Sequence, residues 1–133
     1  MSARRSIVLT LQARDDIADI LDYSAERFGL AARRRYESLL QTGLRDLATD
    51  PARAGSHARP EFTGEVRTYH LRHSRRRRSA APTSPRHMIV YRLPAPDELL
   101  ILRVLHDAME LTRHLPETPS SEDRDRGGRG SGG

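Results

Sequence analysis

The sequence predicts an α+β fold in which a helical hairpin packs on an antiparallel β-sheet. Two apolar patterns of helical period lie next to each other, separated by a glycine. A short β-branched run precedes them, and three more strand-like runs follow, divided by turn residues. Strands that cluster after a pair of helices are typical of an α+β domain whose later strands form antiparallel hairpins.

The N-terminal strand and the first helix follow each other directly. Residues 6–11 (SIVLTL) are apolar and β-branched, which predicts a short strand. Over residues 13–28 the apolar positions change to helical spacing. Asp15 and Asp16 are expected in the first turn of this helix, where carboxylates suit the helix dipole. Gly29 is a natural C-terminal stop.

A second helix is predicted over residues 30–48, where one apolar stripe follows a single face. Asp50-Pro51 ends this helix, because a residue that precedes proline avoids the α region. Two helices joined at a glycine predict an antiparallel helical hairpin. Residues 51–65 are rich in Gly and Pro and predict a linking loop.

Three strands and a short C-terminal helix are predicted after this loop. The strands are expected at residues 66–72, 87–93 and 99–105, and the helix at residues 107–115. The last strand is apolar on both faces except for Arg103. This pattern favours a central strand that is buried on both sides.

Length and composition predict one domain with two polar additions. Residues 1–115 are expected to form the domain. Within it, residues 73–86 make a long Arg-rich hairpin that has little apolar area to bury and should be mobile. Residues 116–133 are nearly free of apolar side chains, which predicts a disordered tail.

Composition also restricts chemistry and location. Without cysteine, neither a disulfide nor a thiolate metal site can form. The apolar run near the start ends at Leu11, which is too short for a signal peptide or a membrane span, so we expect a soluble, cytoplasmic protein. The net charge is +5, and all 23 basic residues are Arg. This charge suits a nucleic acid, an acidic partner or a solvated surface, and does not choose among them.

The six histidines do not form the pattern of a metal site. His70 and His73 are expected on a strand, where residues three apart point to opposite faces. No Asp or Glu lies close to them in sequence to complete a ligand set. We expect neither a metal nor a cofactor.

Three aromatic residues and several arginines are candidates for contact with a partner or a target. Tyr23, Phe28 and Tyr36 lie near the hairpin tip, and an exposed aromatic patch there would be a liability unless a partner covered it. Arg67 and Arg92 lie on neighbouring predicted strands. For both arginines, a contact with a partner or target and a solvated position are equally compatible with the sequence.

The last strand carries two further candidates. An unpaired guanidinium inside an apolar strand would be very costly, so Arg103 needs either a carboxylate from the helical hairpin or a functional surface. His106 at the strand end is expected to pack or to cap the last helix, with a partner contact as the alternative. An exposed cationic run, which is either solvated or in salt-sensitive contact with DNA phosphates, comprises Arg75, Arg76, Arg77 and Arg78.

Five segments in order resemble the RelE/ParE toxin superfamily, and within it the ParE branch of plasmid stabilisation proteins. They are ARDDIADILDYSAERFG, LRDLATDPARAG, GEVRTY, MIVYR and RVLH with the following DAMELTRHL. No single segment is specific, but their order and spacing over residues 6–115 are. The Arg-rich hairpin and the Gly-rich tail depart from the family pattern.

The resemblance implies a RelE/ParE toxin fold and a toxin held inactive by a ParD-like antitoxin in a hetero-oligomer. The flexible C-terminal segment of such an antitoxin lays a helix, and sometimes a strand, over the hairpin and the sheet. The ParE branch is described as poisoning DNA gyrase, whereas the RelE branch cleaves messenger RNA on the ribosome. Three hypotheses remain: a gyrase-inhibiting toxin, which we favour, a ribosome-dependent endoribonuclease, and a non-toxic basic nucleic-acid-binding module.

The positions that carry catalysis in the RelE branch weaken the endoribonuclease hypothesis. By resemblance, two arginines and a tyrosine of that branch correspond here to Met88, Ala108 and His114. The two missing cations would stabilise the developing phosphate charge. His114 remains a weak candidate for proton transfer. We therefore expect the protein to act by binding rather than by catalysis.

Overall fold

The structure places two helices on one face of a sheet, which confirms the α+β prediction. The computed structural model describes residues 4–75, 85–107 and 115. In this part of the chain the strands are β1 (Ser6–Leu9), β2 (Ser56–Ala58), β3 (Arg67–His70), β4 (His87–Arg92) and β5 (Glu98–His106). The helices are α1 (Leu11–Phe28) and α2 (Leu30–Thr49), and a 3₁₀ helix spans Leu71–Ser74.

The sheet is mostly antiparallel and has the strand order β1-β5-β4-β3-β2. The β3–β4 and β4–β5 pairs are antiparallel, as predicted, and the β2–β3 pair, which was not predicted, is antiparallel too. The β1–β5 pair is parallel, with Ile7 opposite Leu99, so the predicted antiparallel sheet is mixed at this edge. The helical hairpin carries the chain to the far edge of the sheet. Four strands then alternate in direction on the way back, and β5 arrives parallel to β1.

The first helix begins two residues earlier than predicted. Its N-cap is Thr10, whose Oγ1 accepts a hydrogen bond from the Ala13 N–H at 3.0 Å and donates to the Leu102 carbonyl at 2.8 Å. The predicted strand therefore stops at Leu9, and the first turn of the helix holds no acidic residue, contrary to our expectation for Asp15 and Asp16.

The predicted ends of both helices are confirmed, but the loop after them contains a strand. Gly29 adopts φ 94°, a conformation that favours glycine, and separates α1 from α2. Helix α2 ends at Thr49, directly before Asp50. Within the predicted loop, Ser56 pairs with Tyr69 as part of β2. The Ser-His-Ala segment of β2 has weak strand propensity, and only its pairing with β3 reveals it.

The main core lies between the helices and the sheet. Apolar side chains from both layers are buried there, and burying one Leu or Ile side chain contributes about 1.5–3 kcal/mol. Its most deeply buried members include Leu47, Tyr69, Leu71, Ile89, Tyr91, Leu99 and Ile101. The Tyr69 hydroxyl is hydrogen-bonded to Ser74 Oγ at 2.7 Å, and the Tyr91 hydroxyl donates to the Pro51 carbonyl at 2.5 Å. The two buried phenols are therefore satisfied.

A smaller apolar cluster forms apart from the main core. Val90 and Leu105 are fully buried beneath Phe62 and Val66. Strand β5 lies between β1 and β4, so its predicted central position is confirmed. Its predicted burial on both faces is only partly correct, because residues 100 and 102 are half-buried.

Some predictions fall outside the described residues. The C-terminal helix predicted at 107–115 lies there except for its two end residues, as do residues 76–84 of the Arg-rich hairpin and the tail at 116–133. Neither described helix is both long enough and apolar enough to cross a bilayer.

Candidate partner-binding groove

A groove of about 630 Å³ opens at the tip of the helical hairpin. Helices α1 and α2 form its walls, and the start of β4 and the end of β5 form its floor. Its apolar half is lined by Ile20, Tyr23, Phe28 and Ala32. Its polar half is lined by Ser24, Arg35, Tyr36, Arg86, His87 and His106.

Two aromatic side chains of the apolar half are open to solvent. Tyr23 is 56% exposed and Phe28 is 66% exposed. Their rings meet edge to face with centroids 6.5 Å apart, and the Arg27 guanidinium lies 5.6 Å from the centre of the Tyr23 ring. The two rings thus form a continuous aromatic surface, at the place where the sequence predicted an aromatic patch.

Tyr36, the third residue of that predicted patch, is buried at the floor of the groove. Its hydroxyl accepts a hydrogen bond from the Arg86 backbone N–H at 3.2 Å and lies 2.6 Å from His87 Nδ1. Burial raises the pKa of Tyr36 to about 12, so the phenol keeps its proton and donates it to Nδ1. The expectation that Tyr36 extends onto an open surface is therefore wrong.

His87 is held neutral by its surroundings. Burial, reinforced by the neighbouring His106, lowers the pKa of His87 to about 4. Because Nδ1 accepts the hydrogen bond from the Tyr36 hydroxyl, the ring proton of neutral His87 lies on Nε2. In the described part of the chain, no acceptor is hydrogen-bonded to that Nε2–H.

His106 belongs to a polar cluster beside the groove floor. It lies opposite His87 in the β4–β5 register, and the two rings meet edge to face at 5.5 Å. Its Nδ1 lies 3.5 Å from Asp107 Oδ1. His70 donates from Nε2 to Asp107 Oδ2 at 3.0 Å, which lowers the pKa of Asp107 and keeps it a carboxylate. His106 thus packs against His87, as expected, but it also lines the groove, so its contact with a partner stays a prediction.

Arg103 forms an internal ion pair instead of lining the groove. Its Nε donates to Asp16 Oδ2 at 2.8 Å, and its Nη2 donates to Oδ1 at 3.0 Å. The Val104 N–H also donates to Asp16 Oδ2, at 2.9 Å. Of the two alternatives that the sequence left open for Arg103, the structure shows the carboxylate from the hairpin.

The other predicted arginines lie outside the lining of the groove. Arg67 Nε donates to Ser56 Oγ at 2.8 Å, and Arg92 Nε donates to the Gly64 carbonyl at 3.1 Å. Arg75 is exposed directly after the 3₁₀ helix, and residues 76–78 lie outside the described residues. Contacts of these arginines with a partner, target or phosphate stay predictions.

The residue at the strand position of RelE-type catalysis does not line the groove either. Met88 packs with the smaller apolar cluster around Val90 and Leu105. Ala108 and His114 lie outside the described residues. Among the residues that the structure does describe, no three His, Asp or Glu side chains are grouped so as to hold a metal ion.

Sequence reasoning missed several residues of the groove, above all His87, Arg86 and Arg35. A signal for His87 was present, because it alternates with Ile89 and Tyr91, which both pack in the main core. That period places His87 on the face of the sheet that the helices cover. Arg35 and Arg86 gave no such signal, since arginines are common on any exposed surface.

Comparison with known proteins identifies the family. A family model described as "ParE toxin of type II toxin-antitoxin system, parDE" matches residues 7–111. A solved structure titled "Chromosomal ParDE TA system from P. aeruginosa" is similar in fold, with a TM-score of 0.55 and 21% identity over 79% of this chain and 98% of that chain. No curated protein matches the chain. The protein is therefore a toxin of the type II toxin–antitoxin class. Within that class, it belongs to the ParE toxin family.

Proposed function

We propose that this toxin is neutralised by a ParD-like antitoxin whose helix lies in the groove. The observation that carries the proposal is the open aromatic surface of Tyr23 and Phe28 beside an apolar wall. An apolar groove between two helices is the kind of surface that accepts an amphipathic helix. The family is described as the toxin of a toxin–antitoxin system, and the antitoxin of such a system is a partner that would cover this aromatic surface.

We further propose that the free toxin inhibits DNA gyrase by binding to it. The support is the likeness of the chain to the ParE branch, together with the apolar environment of Met88 at the strand position of RelE-type catalysis. A groove whose floor holds a neutral His87 and a protonated Tyr36 offers hydrogen bonds rather than a strong base. Arg67, Arg92 and the cationic run Arg75–Arg78 remain candidate contacts with gyrase or its DNA.

A supercoiling assay with the purified full-length chain tests the gyrase proposal. We expect supercoiling by gyrase to fall as the toxin is added, and to recover when the protein encoded by the adjacent reading frame is added in equal amount. Normal supercoiling at a large molar excess of toxin contradicts the proposal. A parallel cell-free translation reaction detects the alternative, because a ribosome-dependent endoribonuclease would cut messenger RNA there, and His114→Ala would abolish the cuts.

A second experiment separates a toxin from a harmless nucleic-acid-binding module. Expression of the chain alone should arrest growth, and co-expression of the adjacent reading frame should restore it. Normal growth, combined with DNA binding that weakens steeply with salt, would instead favour the binding module.

A further inference from the structure

The polar half of the groove carries uncompensated positive charge. Arg35 is exposed and has no ion-pair partner in the described part of the chain. The Arg86 side chain is 61% exposed, and its Nε lies 3.8 Å from Asp107 Oδ1. That carboxylate already accepts a hydrogen bond from His70. Asp107 therefore partly neutralises Arg86, whereas the charge of Arg35 has no counterpart among the described residues, which leaves this end of the groove cationic.

A neutral hydrogen-bond donor lies beside these charges. The Tyr36 hydroxyl is hydrogen-bonded to Nδ1 of His87, so the Nε2–H of this ring is the donor that is left for a ligand. Two guanidinium groups and a neutral N–H together offer donors and no acceptor at this point of the lining. Such a set suits a carboxylate, which accepts several hydrogen bonds and gains from charge-assisted ones.

The apolar residues that line the same groove require different chemistry. The exposed rings of Tyr23 and Phe28, with Ile20 and Ala32, offer mainly apolar area, and the charge beside them is that of Arg27 over the Tyr23 ring. A nucleic acid backbone would bring phosphates into contact with this apolar half and gain little there. A helix with an apolar stripe and an acidic margin matches both halves at once.

We propose that the groove recognises an amphipathic partner helix through a carboxylate subsite formed by Arg35, Arg86 and His87. The apolar face of the helix covers Tyr23 and Phe28, and an Asp or Glu at its margin meets the two arginines. This inference rests on the proposed function, because it defines the chemistry of the antitoxin segment that occupies the groove.

Selection of helical peptides on the purified full-length chain tests the subsite. The library keeps a leucine stripe on one face and randomises the flanking positions. We expect binders to carry Asp or Glu at one fixed margin position. Changing that acid to its amide should weaken binding about fivefold, as for a partly exposed ion pair. On the Arg86→Gln or Arg35→Gln variant, the same peptide change should have a smaller effect, because one of the two arginines is gone.

Matched controls make the result specific to the groove. Arg34→Gln removes a neighbouring exposed arginine that does not line the groove, and should leave affinity unchanged. Phe28→Ala should weaken every selected peptide. Three results would overturn the subsite. The first is a set of selected peptides with neutral or basic residues at the margin, and the second is a loss of affinity in Arg34→Gln equal to that in the two groove variants. The third is the absence of any binder that Phe28→Ala weakens. Dimerisation of the free chain through Phe28, seen by sedimentation, would overturn it in favour of a second copy as occupant.

The experiments distinguish a failure of the proposed function from a failure of the carboxylate subsite. If acidic peptides bind as expected but the chain neither arrests growth nor inhibits gyrase, the proposed toxicity is wrong and the subsite stands. If the chain is toxic and is neutralised by a partner that ignores Arg35 and Arg86, the subsite is wrong and the proposed function stands.

Discussion

The hydroxyl of Tyr36 links the helical layer to the sheet at the floor of the groove. It accepts from the Arg86 N–H and donates to His87 Nδ1, so one group satisfies two others at the start of β4. Buried polar groups are costly when they are left unpaired. The pair therefore fixes the ring of His87 and, with it, the direction of the remaining N–H.

Replacing Tyr36 with Phe tests this link. The ring is kept, but His87 and the Arg86 N–H both lose a partner, so we expect the free energy of unfolding to fall by about 1–2 kcal/mol. Urea denaturation measures this change. Tyr23→Phe is the matched control, because the Tyr23 side chain is exposed, and should change stability by less than about 0.5 kcal/mol. Equal effects of the two substitutions would contradict the assigned role of Tyr36.

The lowered pKa of His87 predicts a loss of stability in acid. The unfolded chain binds a proton at His87 as pH falls below about 6.5, whereas the folded chain, with a pKa of about 4, does not. Stability that depends on this group is therefore present above pH 6.5 and is lost as pH falls towards 4. Burial is the largest cause of this lowered pKa; the neighbouring His106, His70 and Arg86 lower it further, and Asp107 opposes them.

His87→Gln isolates this contribution, because a glutamine oxygen can accept from Tyr36 but does not titrate. Between pH 7 and pH 4.5 we expect the wild-type protein to lose on the order of 1–2 kcal/mol more stability than the variant. Chemical denaturation at both pH values gives the difference. Identical pH dependence in the two proteins would show that His87 is protonated equally in the folded and unfolded states.

The sequence can predict whether a side chain is exposed or buried when local spacing along an element decides it. Tyr23 and Phe28 are exposed near the hairpin tip because too few neighbours exist there to cover them. Tyr36 is four residues from Ala32 on the same helix, and both are buried, so its helical spacing already indicated the inward face. The Tyr36–His87 contact joins residues far apart in sequence and required the fold.

At the level of elements, Asp16 covers an edge of β5 that β1 leaves open. Strand β1 ends at Leu9, opposite Ile101. Beyond that point the N–H of Val104 has no strand neighbour on this side and donates to Asp16 instead. The same carboxylate holds the Arg103 guanidinium in a two-point contact. One side chain of α1 therefore completes the sheet and neutralises the charge within β5.

Asp16→Asn tests this connection. The amide cannot neutralise Arg103, which is mostly buried, so we expect a loss of about 2–3 kcal/mol, between the values for surface and fully buried pairs. Asp19→Asn, an exposed change on the same helix, should cost less than about 0.5 kcal/mol. Urea denaturation compares them. A small effect of Asp16→Asn would mean that water replaces the carboxylate at the open edge.

The sequence predicted the helices and strands whose apolar residues recur with a clear period. It missed the features that depend on which strands pair with each other. Helix α2 ends where the residues before Pro51 require it to end. Strand β2 is short and weakly β-prone, and exists because β3 offers it an open edge. The parallel β1–β5 contact joins the two ends of the domain, and no local pattern encodes strand direction across that distance.

At the scale of the whole molecule, the fold gathers the exposed aromatic residues Tyr23 and Phe28 and two arginines, Arg35 and Arg86, into one groove. The helical hairpin supplies the apolar wall, and the ends of β4 and β5 supply the polar floor. The resemblance that the sequence carried over residues 6–115 predicted the fold and the family. It did not reveal the polar part of the lining, because Arg35 comes from a helix and His87 from the sheet, and Arg86 directly precedes that strand.

The central claim is that the groove is the surface that binds the proposed antitoxin. The most direct test is a binding titration of the chain with that antitoxin, which is sought in the adjacent reading frame. The wild-type protein is compared with Phe28→Ala and with Leu11→Ala, which removes an apolar side chain that is 79% exposed on the same helix but outside the groove lining. We predict that Phe28→Ala weakens binding about tenfold or more, as for a central contact residue, and that Leu11→Ala changes it less than about twofold. Equal losses, or a larger loss for Leu11→Ala, would contradict the account.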